Sequence, residues 1–173
     1  MVEREVVISE AAIASRVREL GEMIRRDYAG RPLVLVGILN GAFIFTADLA
    51  RAIDLPLEVD FIRVASYGKA TSSSGTVILT KDIELAIAGK EILLAEDIVD
   101  TGRTLSYLKE MLMARDPASL KICAMIDKKE RREVAVTVDY AGFTGVEGFL
   151  VGYGLDCAEQ YRNLPAVYRL LNP

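Results

Sequence analysis

Three carboxylates, Glu96, Asp97 and Asp100, fall within one short stretch, and a Thr-Gly turn follows them at once. The stretch reads ILLAEDIVDTGRTL, from Ile92 to Leu105. Its apolar half has the character of a strand buried on both faces. Its second half, DTGRT, is a small-residue turn that opens a helix. The free N–H groups of a helix start, with the helix dipole behind them, hold a phosphate without help from any side chain. Gly102 lets backbone and anion come close, and Thr101 and Thr104 add hydroxyl donors. Acids beside a phosphate must then serve another part of the ligand. Carboxylates accept hydrogen bonds from sugar hydroxyls and hold Mg²⁺ through oxygen. A ligand with a 5′-phosphate, a ribose diol and a metal-bound diphosphate needs both features side by side. The plainer alternative is that Asp100 caps the helix while Glu96 and Asp97 are solvated loop acids.

What the chain lacks narrows the chemistry. There is no histidine, which excludes Ser-His-Asp and Cys-His catalysis and histidine metal ligands. Any acid or base must be a carboxylate, a lysine or a tyrosine. The two cysteines, Cys123 and Cys157, fit neither a zinc motif nor a disulfide framework. No GxxxxGK[ST] occurs, so the phosphate loop is not a P-loop. A net charge of −4 argues against a general nucleic-acid surface. The first residues, MVEREVVISE, lack the apolar core of a signal peptide. No apolar run reaches the ~18 residues that span a bilayer. A cytoplasmic protein that contacts neither membrane nor nucleic acid is expected.

The elements that position these residues follow from periodicity. Ser9 is placed to cap a helix whose apolar residues Ile13, Val17, Leu20 and Ile24 recur at helical spacing. Residues 30–39 are a turn and an apolar strand, and 41–53 a helix. Residues 57–67 and 76–80 are strands around a polar loop at 68–75. Strand 89–98 leads through the acidic turn into a helix over 101–114, which Asp116-Pro117 ends. Residues 119–127 form another buried strand, 133–140 a short strand or edge, and 148–154 a last strand. Apolar strands alternating with amphipathic helices predict an α/β fold, with a twisted, mainly parallel sheet and helices on both faces. The 173 residues suit a single domain. In open sheets of this kind ligands bind beyond the carboxyl ends of strands. That rule selects Leu39–Gly41, Ser66–Gly75, Glu96–Thr104 and Asp127–Lys129.

With these residues in view, ILLAEDIVDTGRTL resembles the phosphoribosyl diphosphate (PRPP) motif of type I phosphoribosyltransferases. LVGILNGAFIFTADLARAI, VDFIRVASYG, DKKERREV and FLVGYGLDCAEQYRNLP resemble, in that order, segments of hypoxanthine-guanine phosphoribosyltransferases. The likeness runs from about Ile8 to Leu170. It implies Mg²⁺-dependent transfer of a 5-phosphoribosyl group from PRPP to N9 of hypoxanthine or guanine, giving IMP or GMP and diphosphate. It also implies a small hood, formed by the N-terminal residues and about 141–173, and a homodimer or homotetramer.

The resemblance assigns roles residue by residue. Glu96 and Asp97 match the acids on the ribose hydroxyls and metal. Asp100 matches the general base near N7 of the purine. Asp100, Thr101, Gly102, Arg103 and Thr104 match the 5′-phosphate loop. Asn40, Gly41 and Arg162 match the diphosphate site. Lys128 matches the donor to the purine O6, Phe149 the stacking ring, and Leu150 a backbone contact to the base edge. Asp156 matches an acid at the purine side that ligates a second Mg²⁺, and Ser66 and Tyr67 open the lid that closes over the reacting centre. From composition alone, Phe149 would be a core residue, and Lys129 and Arg131 a solvated basic surface.

Two departures stand out. Asn40 occupies a position where the family often has lysine, which removes a cationic contact to diphosphate. GVE at 145–147 replaces the usual I-P-D before the stacking aromatic. Two rivals remain at this point: a xanthine-preferring enzyme, and a PRPP-binding regulator without turnover.

Overall fold

A computed structural model describes residues 3–67 and 76–172, with backbone only for Ser66, Tyr67 and Thr76. The expected lid over 68–75, and the side chains of Ser66 and Tyr67, lie outside the described residues.

The apolar runs of β2 (Leu33–Leu39), β5 (Glu91–Val99) and β6 (Ser119–Asp127) lie inside a six-stranded sheet. The strand order is β4 (Thr76–Lys81), β3 (Leu57–Tyr67), β2, β5, β6 and β7 (Tyr140–Thr144). All neighbours are parallel except β3 and β4, which form an antiparallel edge pair. The expected mainly parallel α/β fold is therefore observed.

Alternation along each strand builds two cores. Leu33, Leu35, Leu93, Ala95, Cys123 and Met125 face α1 (Glu10–Tyr28) and α2 (Phe43–Ile53). Their neighbours Val34, Val36, Ile92, Leu94, Ile122 and Ala124 face Leu105, Leu108 and Leu112 of α3 (Arg103–Met113). The split follows from handedness. The chain moves from β2 to β3 in one direction and from β5 to β6 in the other, so right-handed crossovers put α2 and α3 on opposite faces.

Ser9 caps α1, its Oγ accepting from the Ala12 amide at 3.2 Å, and Ile13, Val17, Leu20 and Ile24 are all buried. Gly21 brings α1 against α2, since a Cβ there would stand 2.4 Å from the Ala52 carbonyl oxygen.

One segment differs from expectation. Residues 133–139 run irregularly, and the edge strand β7 begins only at Tyr140. The amides of Glu133 and Val134 go instead to the carbonyl of Thr101, at 2.9 and 3.0 Å. The chain ends also form a second sheet: β1 (Arg4–Ile8) and β8 (Phe149–Val151) flank β9 (Val167–Leu170), all antiparallel.

Candidate active site

The order of the large sheet reverses between β2 and β5. That reversal opens a crevice beyond the carboxyl ends of both strands. The turn after β2 carries Asn40 and Gly41, and the turn after β5 carries Asp100 to Gly102.

The second turn is built to take an anion. Gly102 is the N-cap of α3, with φ 84° and no side-chain cap. Asp100 therefore does not cap this helix. The first helical hydrogen bond runs from the Ser106 amide to the Gly102 carbonyl at 3.0 Å. The amides of Arg103, Thr104 and Leu105 precede it and have no carbonyl within the helix. Arg103 N makes only a long contact of 3.4 Å to Thr101 Oγ1. A cavity of about 120 Å³ lies there, lined among others by Glu96, Asp100, Thr101, Gly102 and Thr104. It is large enough for a phosphate group. The Arg103 side chain turns to Glu133 at 2.5 Å and is exposed.

Glu96 and Asp97 are the last acids inside the strand; Glu96 is buried and Asp97 half-buried. Burial, then the neighbouring Asp97 charge, pushes the Glu96 carboxyl well above the usual carboxylate range. Burial likewise raises Asp97. Two such carboxyls side by side, one buried and one half-buried, resist full ionisation until positive charge arrives. Asp97 Oδ1 accepts from the Ile98 amide at 2.7 Å, and Glu96 Oε1 from the Asp97 amide at 3.1 Å. Asp97 Oδ2 presses on Gly41, where a Cβ would come within 1.8 Å. On its other side the Gly41 carbonyl meets Gly154, whose added Cβ would stand 1.9 Å away. The Leu39–Asn40 peptide in this turn is cis, and Asn40 itself is exposed.

Asp100 has one carboxylate oxygen 3.3 Å from Arg131, while the other is buried with no hydrogen-bond partner among the described residues. A buried acceptor left unpaired is uncommon in a folded protein and marks a place where a donor is expected. Arg131, read from composition as solvated, is exposed but reaches back to this acid.

Lys128 directly follows the end of β6 and is only 9% exposed. Its ammonium donates to the Gly148 carbonyl at 2.9 Å, directly before Phe149. A long contact of 4.0 Å reaches Glu130. Phe149 is 45% exposed, so its ring is not a core residue and presents a face to solvent. Leu150 behind it is buried. Lys129 is exposed, with a 4.0 Å approach to Asp127.

Arg162 is placed on the opposite bank. It donates to the Gly154 carbonyl at 2.8 Å and pairs with Asp156 at 2.9 Å and Glu159 at 3.0 Å. Asp156 also accepts from the Glu159 amide at 2.9 Å. The fold thus brings Glu96, Asp97 and Gly41 together, sets Lys128 beside the Phe149 strand, and joins Asp156 to Arg162. It does not gather Asp156 with Glu96 and Asp97 into one cluster: no group of three potential metal ligands exists among the described residues. The Glu96–Asp97 pair still suits Mg²⁺, which usually takes one or two carboxylates and fills its shell with substrate oxygens and water.

Arg132 carries no role in the sequence reading. Its guanidinium reaches the carbonyls of Val99, Asp100, Lys128 and Val136 and the carboxylate of Asp127. No local signal separates it from the other charges of KKERR.

Comparison with known proteins agrees with this geometry. The model of the phosphoribosyl transferase domain matches residues 8–158. The chain is 47% identical over 169 residues to the hypoxanthine phosphoribosyltransferase of Salmonella typhimurium, covering 96% of this chain and 95% of that one. It is 48% identical over 165 residues to the hypoxanthine-guanine phosphoribosyltransferase of Aquifex aeolicus, covering 95% and 93%. Among solved structures, a hypoxanthine phosphoribosyltransferase from Staphylococcus aureus superposes with a TM-score of 0.92 at 43% identity, covering 96% of this chain and 90% of that one.

Proposed function

This chain belongs to the phosphoribosyl transferase family, and from that premise we propose that it moves the 5-phosphoribosyl group of PRPP to N9 of hypoxanthine or guanine. The products are IMP or GMP and diphosphate, a purine-salvage reaction. One observation carries the reading: a helix start with free amides opens beside a carboxylate pair at the sheet's switch point. A phosphoribosyl diphosphate has the matching polarity, with anion at one end and hydroxyls and metal-bound oxygens at the other.

On this reading the amides of Arg103 to Leu105 and the hydroxyls of Thr101 and Thr104 hold the 5′-phosphate. Glu96 and Asp97 accept from the ribose hydroxyls and would hold Mg²⁺, their raised carboxyls being a site that favours a cation. Mg²⁺ supplies neutralisation of the departing diphosphate. The Asn40–Gly41 backbone and Arg162 take that diphosphate, and Arg162 must exchange its Asp156 and Glu159 partners to do so.

The base lies against Phe149. Lys128 has three donors, of which Gly148 takes one, so the rest are free for the O6 of an oxopurine. Asp100, with its unpaired oxygen, assists removal or relay of the purine proton. Holding N9 in line with C1′ supplies much of the acceleration. The lid residues Ser66 and Tyr67 and the loop to residue 75 are proposed to close over the centre and exclude water. A homodimer or homotetramer is proposed from the family resemblance, and the net charge of −4 fits a cytoplasmic protein without nucleic-acid partners. Among the described residues no helix is long and apolar enough to cross a membrane.

A spectrophotometric panel of free bases tests the assignment. With PRPP and Mg²⁺, hypoxanthine and guanine should turn over and adenine and uracil should not. Preference for xanthine would move the substrate within the family, and no turnover with any purine would overturn the proposal.

A further inference from the structure

We propose that Arg132 is a positioning residue that aims the phosphate loop and at the same time anchors Lys128, so that one side chain sets the sites of both substrates. The inference rests on the transferase reading above. Its starting point is a gap in the loop itself. The N-cap of α3 is a left-handed glycine without a side-chain cap, so nothing within the turn decides where its amides point.

The missing constraint comes from behind. In a trans peptide the N–H points opposite to the C=O of the preceding residue, because the unit is planar. Arg132 Nε holds the Asp100 carbonyl at 3.0 Å, and Nη2 approaches the Val99 carbonyl at 3.4 Å. The amides of Thr101 and Asp100 are thereby turned to the other side. The next carbonyl, that of Thr101, accepts from the amides of Glu133 and Val134 at 2.9 and 3.0 Å, which aims the Gly102 amide in turn. The segment is pressed close: a Cβ on Gly102 would come within 2.5 Å of the Val134 carbonyl and 3.1 Å of Arg132 Cδ. Three successive peptides of the phosphate loop are thus oriented by residues 132–134.

The same guanidinium grips the other site. Nη2 donates to the Lys128 carbonyl at 3.0 Å and to Asp127 Oδ1 at 2.5 Å. The Lys128 amide is itself bonded to the Val99 carbonyl at 3.0 Å. The backbone of Lys128 is therefore pinned on both sides, once directly to the strand that leads into the phosphate loop and once through Arg132. Side-chain exposures of 17% for Arg132 and 8% for Asp127 keep water from competing for these bonds. A planar guanidinium can serve this many acceptors spread around its edge; a lysine ammonium retains the charge for Asp127 but offers only three donors from one point.

Arg132→Lys therefore separates charge from geometry. It should fold, because the pair with Asp127 survives, yet raise KM for PRPP and for hypoxanthine together and lower kcat/KM about 10²-fold, the scale of a 1 Å misplacement. Arg132→Ala should regain activity on addition of guanidinium chloride, and Lys128→Ala should not. A folded Arg132→Lys that keeps both KM values, or loses only one, overturns the proposal. Hydrogen exchange on the unmodified protein decides the matter even if neither variant folds. Ribose 5-phosphate, which reaches the loop and the Glu96–Asp97 pair but not the base site, should slow exchange at the amides of Lys128, Glu133 and Val134 as well as at 100–104. Protection confined to 100–104 refutes the coupling alone, whereas no protection anywhere refutes the transferase reading and the coupling with it.

Discussion

Gly41→Ala offers a severe test of how the two substrate-side turns are packed. The new Cβ would stand 1.8 Å from Asp97 Oδ2, where ordinary contact begins near 3.4 Å. Something must move by about 1.6 Å, the difference between those two distances. Asp97 is poorly free to do so, since Oδ1 is bonded to the Ile98 amide at 2.7 Å and the half-buried side chain lies beside Glu96. The turn cannot retreat easily either, because the Gly41 carbonyl occupies the space that a Gly154 side chain would need. Overpacking of this kind costs about 1–3 kcal/mol. For a chain of this size each kcal/mol lowers Tm by roughly 2–4 °C, so a fall of about 2–12 °C is expected. The loss of activity should be larger than that suggests, because displacing a ribose-binding carboxylate by ~1 Å costs about 10²-fold in kcat/KM for PRPP. Gly30→Ala is the control. Gly30 has a left-handed backbone, φ 76°, where any Cβ is strained, but the added atom meets nothing within 4 Å. It should cost about 1–2 kcal/mol of stability and leave kcat/KM unchanged. Scanning fluorimetry and initial rates with PRPP varied measure both quantities. A Gly41→Ala protein whose kcat/KM stays within about threefold of the parent, on the scale where misplacement costs ~10²-fold, would refute the packing argument.

Three further outcomes follow from the same geometry. Lys128→Ala should raise KM for hypoxanthine and guanine far more than for PRPP and narrow the gap to adenine, because a site built for an oxo acceptor can discriminate by ~10⁴ or more; exposed Lys129→Ala should do little, and equal effects would remove Lys128 from the O6 contact. Asp100→Asn should keep PRPP affinity, measured by calorimetry, while turnover falls ~10²–10⁴-fold, and an unchanged kcat with chemistry rate-limiting would end its role as base. Asp60 supplies a pH dependence: burial pushes its carboxyl up, but the amides of Leu85, Phe61 and Glu84, with Lys81, outweigh that and hold it below the usual range. A carboxyl lowered on folding contributes stability that is present above its unfolded pKa, about 3.9, and is lost as pH falls through the lowered folded value. Asp60→Asn should therefore cost about 1.5–3 kcal/mol in urea unfolding at pH 7, with the gap to the parent closing below about pH 4; a gap that widens in acid would contradict the sign.

Much of this was legible in the chain because burial leaves a regular trace. The apolar runs of β2, β5 and β6 are buried on both faces, and Ile13, Val17, Leu20 and Ile24 mark one side of α1. Glu96, Asp97, Asp100 and Lys128 were found because the carboxyl ends of parallel strands are where ligands bind. The segment 133–140 misled for a definite reason. Its alternating valines are half-buried as a strand's would be, but its first amides pair with the Thr101 turn instead of a neighbouring strand. The β1–β9 pairing joins opposite ends of the chain, and β1 is largely exposed, so no local pattern announces it. Asp156 was singled out only by the family resemblance, and its pairing with Arg162 depends on the left-handed residues at 158, 159 and 161, which no local pattern announces. Arg132 was hidden among solvated charges and acquires its role only where the backbone turns it inward.

Group transfer between two bound substrates has a stoichiometry that can be measured directly. The unmodified protein would be incubated with PRPP, hypoxanthine and Mg²⁺, with IMP and diphosphate quantified in the same samples by chromatography and a coupled phosphate assay. The account predicts one diphosphate for each IMP, no release from PRPP when the base is omitted, and loss of both products in excess chelator, since the departing diphosphate then lacks charge neutralisation. Diphosphate release without nucleotide, or undiminished IMP formation in chelator, would contradict it.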